Sequence, residues 1–184
     1  MELGQLRMPC KELPELLYIQ VGARSKKGML EILIIDDSRD DLLLVERTIR
    51  QAGFQNAVHL FQDPAQLISH FHALPEADPA LMFVDVVMFP RNGIEILKAL
   101  KNFPRAAQSI SVMLSGMSDV RNIRLAYEAG ATTFLIKPIS VEDINNFFRA
   151  FTKYFDIRES PDGRFAEWAA SFRKPTKSDS GLSC

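Results

Sequence analysis

The stretch ILIIDDSRDD, residues 32–41, runs four apolar residues straight into two adjacent acids, Asp36 and Asp37. Apolar runs of this length suit a strand buried on both faces. Two like charges about 4 Å apart repel by roughly 4 kcal/mol at an effective dielectric near 20, so a cation is expected beside them. Ser38-Arg39-Asp40-Asp41 then reads as a capping box that opens a helix, with acids suited to the positive helix end. On that reading Asp40 and Asp41 serve the helix alone. Gly53 marks its stop.

Outward from this unit the same alternation repeats. Strand-like runs occur at 31–36, 57–61, 80–86, 109–115 and 132–137. Helical spacing fills about 64–73, 93–102, 118–129 and 140–155, the last carrying a stripe of Ile144, Phe147, Phe148, Phe151 and Phe155. Five strands alternating with five helices predict an α/β fold, a five-stranded parallel sheet doubly wound by helices on both faces.

Composition narrows the function. The 184 residues are 47% hydrophobic and 24% charged, with a formal net charge of −1. That balance predicts a soluble globular protein and offers no broad electrostatic reason to bind nucleic acid or an anionic membrane. No apolar run approaches the roughly 20 residues that span a bilayer. The N-terminus lacks the pattern of a secretion signal, so a cytoplasmic location is expected. Cys10 and Cys184 form no metal-binding or redox spacing. His70 and His72, two apart on a helix, make a poor metal pair, and structural roles are expected for the histidines.

Three segments follow: an extension over 1–28, a domain over 29–155 and a second extension over 156–184. Met29 is placed where translation could itself begin. In the second extension Phe165, Trp168 and Phe172 have helical spacing. A short helix from Gly163 to Arg173 capped by Asp162 is expected, followed by a disordered tail. Such a helix is marginal alone in water, so packing on the domain is expected. Self-association into a homodimer and docking to a partner are the alternatives.

In an open parallel sheet, ligands bind outside the carboxyl ends of the strands. Those ends deliver Asp36 and Asp37, then Asp85, then Ser115 with Gly116, then Lys137 with Pro138. Three clustered carboxylates without a second cation would force some to hold protons. Mg²⁺ suits them, because it takes one or two carboxylates, keeps waters and completes its shell with phosphate oxygens. A carboxylate beside it can act as a nucleophile toward phosphorus. Lys137 and Ser115 would hold the transferred group.

The combination Asp36-Asp37, Asp85, Ser115-Gly116 and Lys137-Pro138 closely resembles the receiver domain of bacterial two-component response regulators. The resemblance implies that Asp85 accepts phosphate from a sensor histidine kinase or a histidine phosphotransfer protein. It implies that Asp37, Asp85 and the main-chain carbonyl of Val87 ligate Mg²⁺, with Asp36 acting through water. Ser115 would be the switch hydroxyl, Phe134 the switch aromatic, and Lys137–Pro138 a cis peptide. Val87 and Met117 occupy the positions that flank the water attacking the phosphoryl group. Both are apolar, which predicts slow loss of phosphate. Two departures stand out: Met88-Phe89-Pro90 replaces the usual Met-Pro, and the switch aromatic has no hydroxyl.

Too few residues follow 155 for a DNA-binding or enzymatic domain, so the chain is expected to be a stand-alone receiver, not an enzyme in its own right, whose output is contact with an unidentified downstream protein. A degenerate receiver that works as an interaction module is the first alternative. A phosphohydrolase commonly places a second Asp two residues after the nucleophile, where this sequence has Val87. A dinucleotide-binding domain lacks support, since no glycine-rich loop follows the first strand.

Overall fold

The computed structural model describes residues 29–74, 77–116 and 120–169. Five parallel strands form one sheet: β1 (Glu31–Ile35), β2 (Val58–Phe61), β3 (Ala80–Asp85), β4 (Ile110–Ser115) and β5 (Thr133–Ile136). Their order is β2-β1-β3-β4-β5, so the chain reverses direction across the sheet between β1 and β3. Between the strands lie α1 (Arg39–Gln51), α2 (Pro64–Ala73), α3 (Gly93–Leu100), α4 (Pro104–Gln108) and α5 (Val120–Glu128), and α6 (Val141–Ala150) follows β5. The doubly wound fold expected from the alternation is the one observed, with strand ends differing by a residue. It contains six helices among the described residues, because Pro104 opens a short helix of its own after α3.

Successive β1 residues face opposite layers. Ile32 and Ile34 join Leu42, Val45 and Ile49 of α1 and Ile144, Phe147 and Phe148 of α6 in one core. Leu33 and Ile35 join Leu67 and Phe71 of α2 and Ile94, Leu97 and Leu100 of α3 in the other. Burial of each such side chain contributes about 1.5–3 kcal/mol.

The C-terminal part corrects the sequence reading. Residues 163–168 form no helix. They are β7 (Gly163–Trp168), paired antiparallel with β6 (Phe155–Ser160), Phe155 opposite Trp168 and Ile157 opposite Ala166. Asp162 is therefore no helix cap. Ser160-Pro161-Asp162-Gly163 is a turn, and Gly163 has φ +125°, a conformation glycine adopts without steric cost. The apolar period that mattered was two, not three and a half. α6 also stops at Ala150 rather than 155, and Phe155 reaches the core from a strand. Phe172, the segment 1–28, Cys10, Cys184 and the tail lie outside the described residues.

The hairpin is pinned to the amino ends of the strands. Asn56, buried, donates to the carbonyls of Leu30 and Ala166 at 2.8 Å and accepts the Ala166 amide at 2.8 Å. Trp168 Nε1 donates to the Pro79 carbonyl at 2.9 Å while its ring lies in the core. Arg164 bonds the Ala52 carbonyl and Asn145 Oδ1.

At this end Glu31 is buried at the start of β1. The Arg105 guanidinium of α4 bonds it, and His59 Nε2 and His70 Nε2 stand 3.0 and 3.4 Å from its Oε1. The structural role expected of the histidines is what His59 and His70 perform. Burial would raise the Glu31 pKa, but the two imidazoles beside it and the Arg105 charge outweigh it and hold the carboxyl well below the usual range. A carboxylate held low stabilises the fold above its unfolded pKa, and that contribution is lost as pH falls toward the folded value. Glu31→Gln leaves Arg105 buried without its counter-charge, so a loss of about 3–5 kcal/mol is expected in urea denaturation at neutral pH. The gap to wild type should narrow as the medium is acidified through the carboxylate range.

Candidate functional site

The carboxyl ends of β1, β3, β4 and β5 bring the singled-out residues to one edge. Asp36 and Asp37 follow β1, Asp85 ends β3, and Ser115 ends β4 one residue beyond Leu114, the partner of Asp85. Lys137 follows β5, where its amide donates to the Ser115 carbonyl at 2.8 Å. Carboxylate oxygens of Asp36, Asp37 and Asp85 all lie within 4.8 Å of one another.

Each acid is held differently. Asp36 is buried; Oδ1 accepts the Ser38 amide at 2.9 Å and Oδ2 meets the Lys137 ammonium. Asp37 is exposed, and its Oδ2 accepts the Phe89 amide at 3.0 Å, which ties the loop after β1 to the loop after β3. Asp85 is buried and stands 2.8 Å from Lys137 Nζ, with the Val87 amide as a second donor. Burial pushes the Asp36 and Asp85 carboxyls above their ordinary range against the opposing pull of Lys137. Burial alone would lower Lys137, yet its bonds to Asp36, Asp41 and Asp85 hold the ammonium well above the usual lysine range. An oxygen-only set with two buried carboxylates that resist ionisation fits a hard divalent cation, which would relieve them.

Asp41 is the residue that the sequence reading misassigned. Ser38 Oγ accepts the Asp41 amide at 3.3 Å, so half of the expected capping box forms. The other half does not, because the Asp41 carboxylate bonds Lys137 Nζ at 2.8 Å and the Ser38 amide goes to Asp36. The signal was present in the order of elements: an acid in the first helical turn after β1 stands at the same sheet edge as Lys137. A full capping box exists elsewhere, between Ser140 and Asp143 at the start of α6.

Phe134 is half-buried against the core on the α2–α3 side. Val87 is exposed on the loop after β3, and Met117 lies outside the described residues. Lys137–Pro138 is cis, and so is Phe89–Pro90, which is how the Met88-Phe89-Pro90 departure is accommodated. Phe89 itself projects into solvent at 85% exposure beside the acids.

Comparison with known proteins places this geometry among relatives. The model of the family described as "Response regulator receiver domain" matches residues 32–149. The photosynthetic apparatus regulatory protein RegA of Rhodobacter capsulatus is 28% identical over 116 residues, 62% of this chain and 59% of RegA. The chain thus spans less than two thirds of that relative's length. The chemotaxis protein CheY of Bacillus subtilis is 28% identical over 61% of this chain and 89% of its own. A crystal structure of a response regulator receiver domain from Rhodospirillum rubrum superposes with a TM-score of 0.56 at 28% identity, covering 66% of this chain and 89% of that one.

Gly93 sets the loop after β3. Its amide donates to the Val86 carbonyl at 3.0 Å, and a Cβ there would stand 1.8 Å from the Asp85 carbonyl oxygen. Backbone cannot give way as a flexible side chain does. Gly93→Ala should therefore lower stability by about 1–3 kcal/mol in chemical denaturation. Gly116→Ala is the control, since a Cβ there meets nothing within 4 Å, and its stability should change little.

Proposed function

We propose that this chain, which belongs to the response regulator receiver domain family, accepts a phosphoryl group on Asp85 from a phosphohistidine of a sensor kinase or phosphotransfer protein. Membership of the family supports phosphorelay signalling in general terms. The observation that carries the finer reading is the meeting of Asp85 with Asp36, Asp37 and Lys137 at one sheet edge.

The chemistry follows from these residues. An oxygen of Asp85 attacks phosphorus in line as the phosphorus–nitrogen bond to the donor imidazole breaks, and the imidazole departs with that electron pair. Asp37, Asp85 and the Val87 carbonyl would hold Mg²⁺ directly and Asp36 through water; the ion's contribution when bound is to neutralise charge on the phosphoryl oxygens. Lys137 gives a hydrogen bond and a positive charge to the group once transferred. Ser115, at the end of β4, would take a further phosphoryl oxygen, and Phe134 would follow it into the space vacated.

Incubation with Mg²⁺ and acetyl phosphate tests the reading. One acid-stable, base-labile phosphate per chain is expected, and none in Asp85→Asn, which keeps the shape but is a far poorer nucleophile. Undiminished labelling of that variant would remove Asp85 from the role, and continuous phosphate release would indicate a hydrolase.

The lifetime of the aspartyl phosphate is the next expected outcome. The Val87 side chain offers no donor or acceptor to orient an attacking water, and the Met117 thioether only a weak acceptor. Poor positioning of a reactant reduces rates by on the order of 10²-fold. Labelled wild type should lose phosphate more slowly than Val87→Asn with Met117→Glu when both are followed in Mg²⁺. Equal or faster loss from wild type would overturn this.

A further inference from the structure

We infer that Asp41 is a positioning residue for Lys137, drawing the ammonium off the carboxylates that a divalent ion needs. The inference rests on the reading above that Asp36, Asp37 and Asp85 hold such an ion.

Lys137 is set among three carboxylates: Asp36 in the closest contact, Asp41 at 2.8 Å and Asp85 at 2.8 Å. An ammonium has three N–H donors, so this arrangement occupies them all. Two of those acceptors, Asp36 and Asp85, also belong to the cluster whose oxygens converge within 4.8 Å, whereas Asp41 does not. The lysine and a divalent cation therefore compete for the same two carboxylates. Every bond that Lys137 makes to Asp36 or Asp85 occupies a lone pair and brings a positive charge toward the ion.

Asp41 resolves the competition because it is an acceptor the ion does not require. Its exposure also suits it to the exchange. The side chains of Asp36 and Asp85 are 2% and 5% exposed, while that of Asp41 is 42% exposed. A buried carboxylate that loses a partner loses solvation with nothing to replace it, but water can replace a partner at Asp41. Lys137 can lean toward Asp41 when an ion enters and turn one donor to the phosphoryl group when Asp85 is modified. The backbone supports this geometry: Ser38 Oγ fixes the Asp41 amide, and the Ser38 amide fixes Asp36.

The direction follows. Without the Asp41 charge, Lys137 falls back on Asp36 and Asp85, and the ion binds more weakly. Residues that orient metal ligands from outside typically change affinity 10–100-fold, and a partly exposed one acting through a lysine belongs at the low end, roughly tenfold.

Calorimetric titration of Mg²⁺ into the whole chain tests the inference. Asp41→Asn should weaken binding roughly tenfold, and Asp41→Glu should retain most of it. Asp40→Asn is the charge control: Asp40 adjoins Asp41 and carries the same charge but is not among the contacts of Lys137, so its effect should be much smaller. In a Lys137→Met background, Asp41→Asn should no longer weaken binding through the lysine, and the difference between the two backgrounds measures the coupling. Melting curves of the metal-free variants establish that each is folded. Equal shifts for Asp40→Asn and Asp41→Asn, or an undiminished Asp41→Asn effect without Lys137, would overturn the positioning role while leaving the site intact. Wild type that takes up no Mg²⁺ would overturn the ion-binding reading itself, and this inference with it.

Discussion

One ammonium set against four carboxylates governs the working edge of this protein. Lys137 touches Asp36, Asp41 and Asp85, and Asp37 completes the acidic group from the exposed side. Charges this deeply placed are held only if each has a partner, since an unpaired buried charge would neutralise itself instead. The four elements that end here are thus constrained together: β1 and the start of α1 through Asp36 and Asp41, β3 through Asp85, and the loop after β5 through Lys137. Negative charge still exceeds positive at this edge, and that surplus is what the proposed cation would neutralise.

The opposite end of the sheet solves a similar problem with an excess of donors. Glu31 is buried like Asp36 and Asp85, but the Arg105 guanidinium and two imidazoles surround it. The two ends use the same chemistry to different effect. Around Glu31 the donors satisfy the carboxylate, so it locks α2, α4 and β2 onto the start of β1. Around Asp85 a single ammonium faces several carboxylates.

The hairpin β6–β7 strengthens the closed end. Asn56 and Trp168 bond it to the backbone of the loops there, and Phe155, Ala166 and Trp168 extend the core beneath α1 and α6. It stands at the amino ends of the strands, away from the acids. The matched family region ends at residue 149, before this hairpin begins.

The sequence by itself determined the sheet, its helical layers and the set of residues at the strand ends. Apolar runs of strand length and stripes of helical period are local properties, and any parallel fold must bring the ends of its strands to one edge. Asp36, Asp37, Asp85, Ser115 and Lys137 were legible for that reason. The hairpin was half legible: Pro161-Asp162-Gly163 is a turn signal, but Phe165 and Trp168, three apart, share a face only in a helix, and pairing with β6 instead makes a strand that buries Ala166 and Trp168. Asp41 was not legible in its full role, because a helix-opening acid has a sufficient local explanation, and only the fold brings a lysine 96 residues later within 2.8 Å of it. Glu31 looked like the polar start of a strand, and only tertiary packing enclosed it with His59, His70 and Arg105. Local pattern decides which elements form, whereas pairing between charges depends on distances that exist only once those elements have packed.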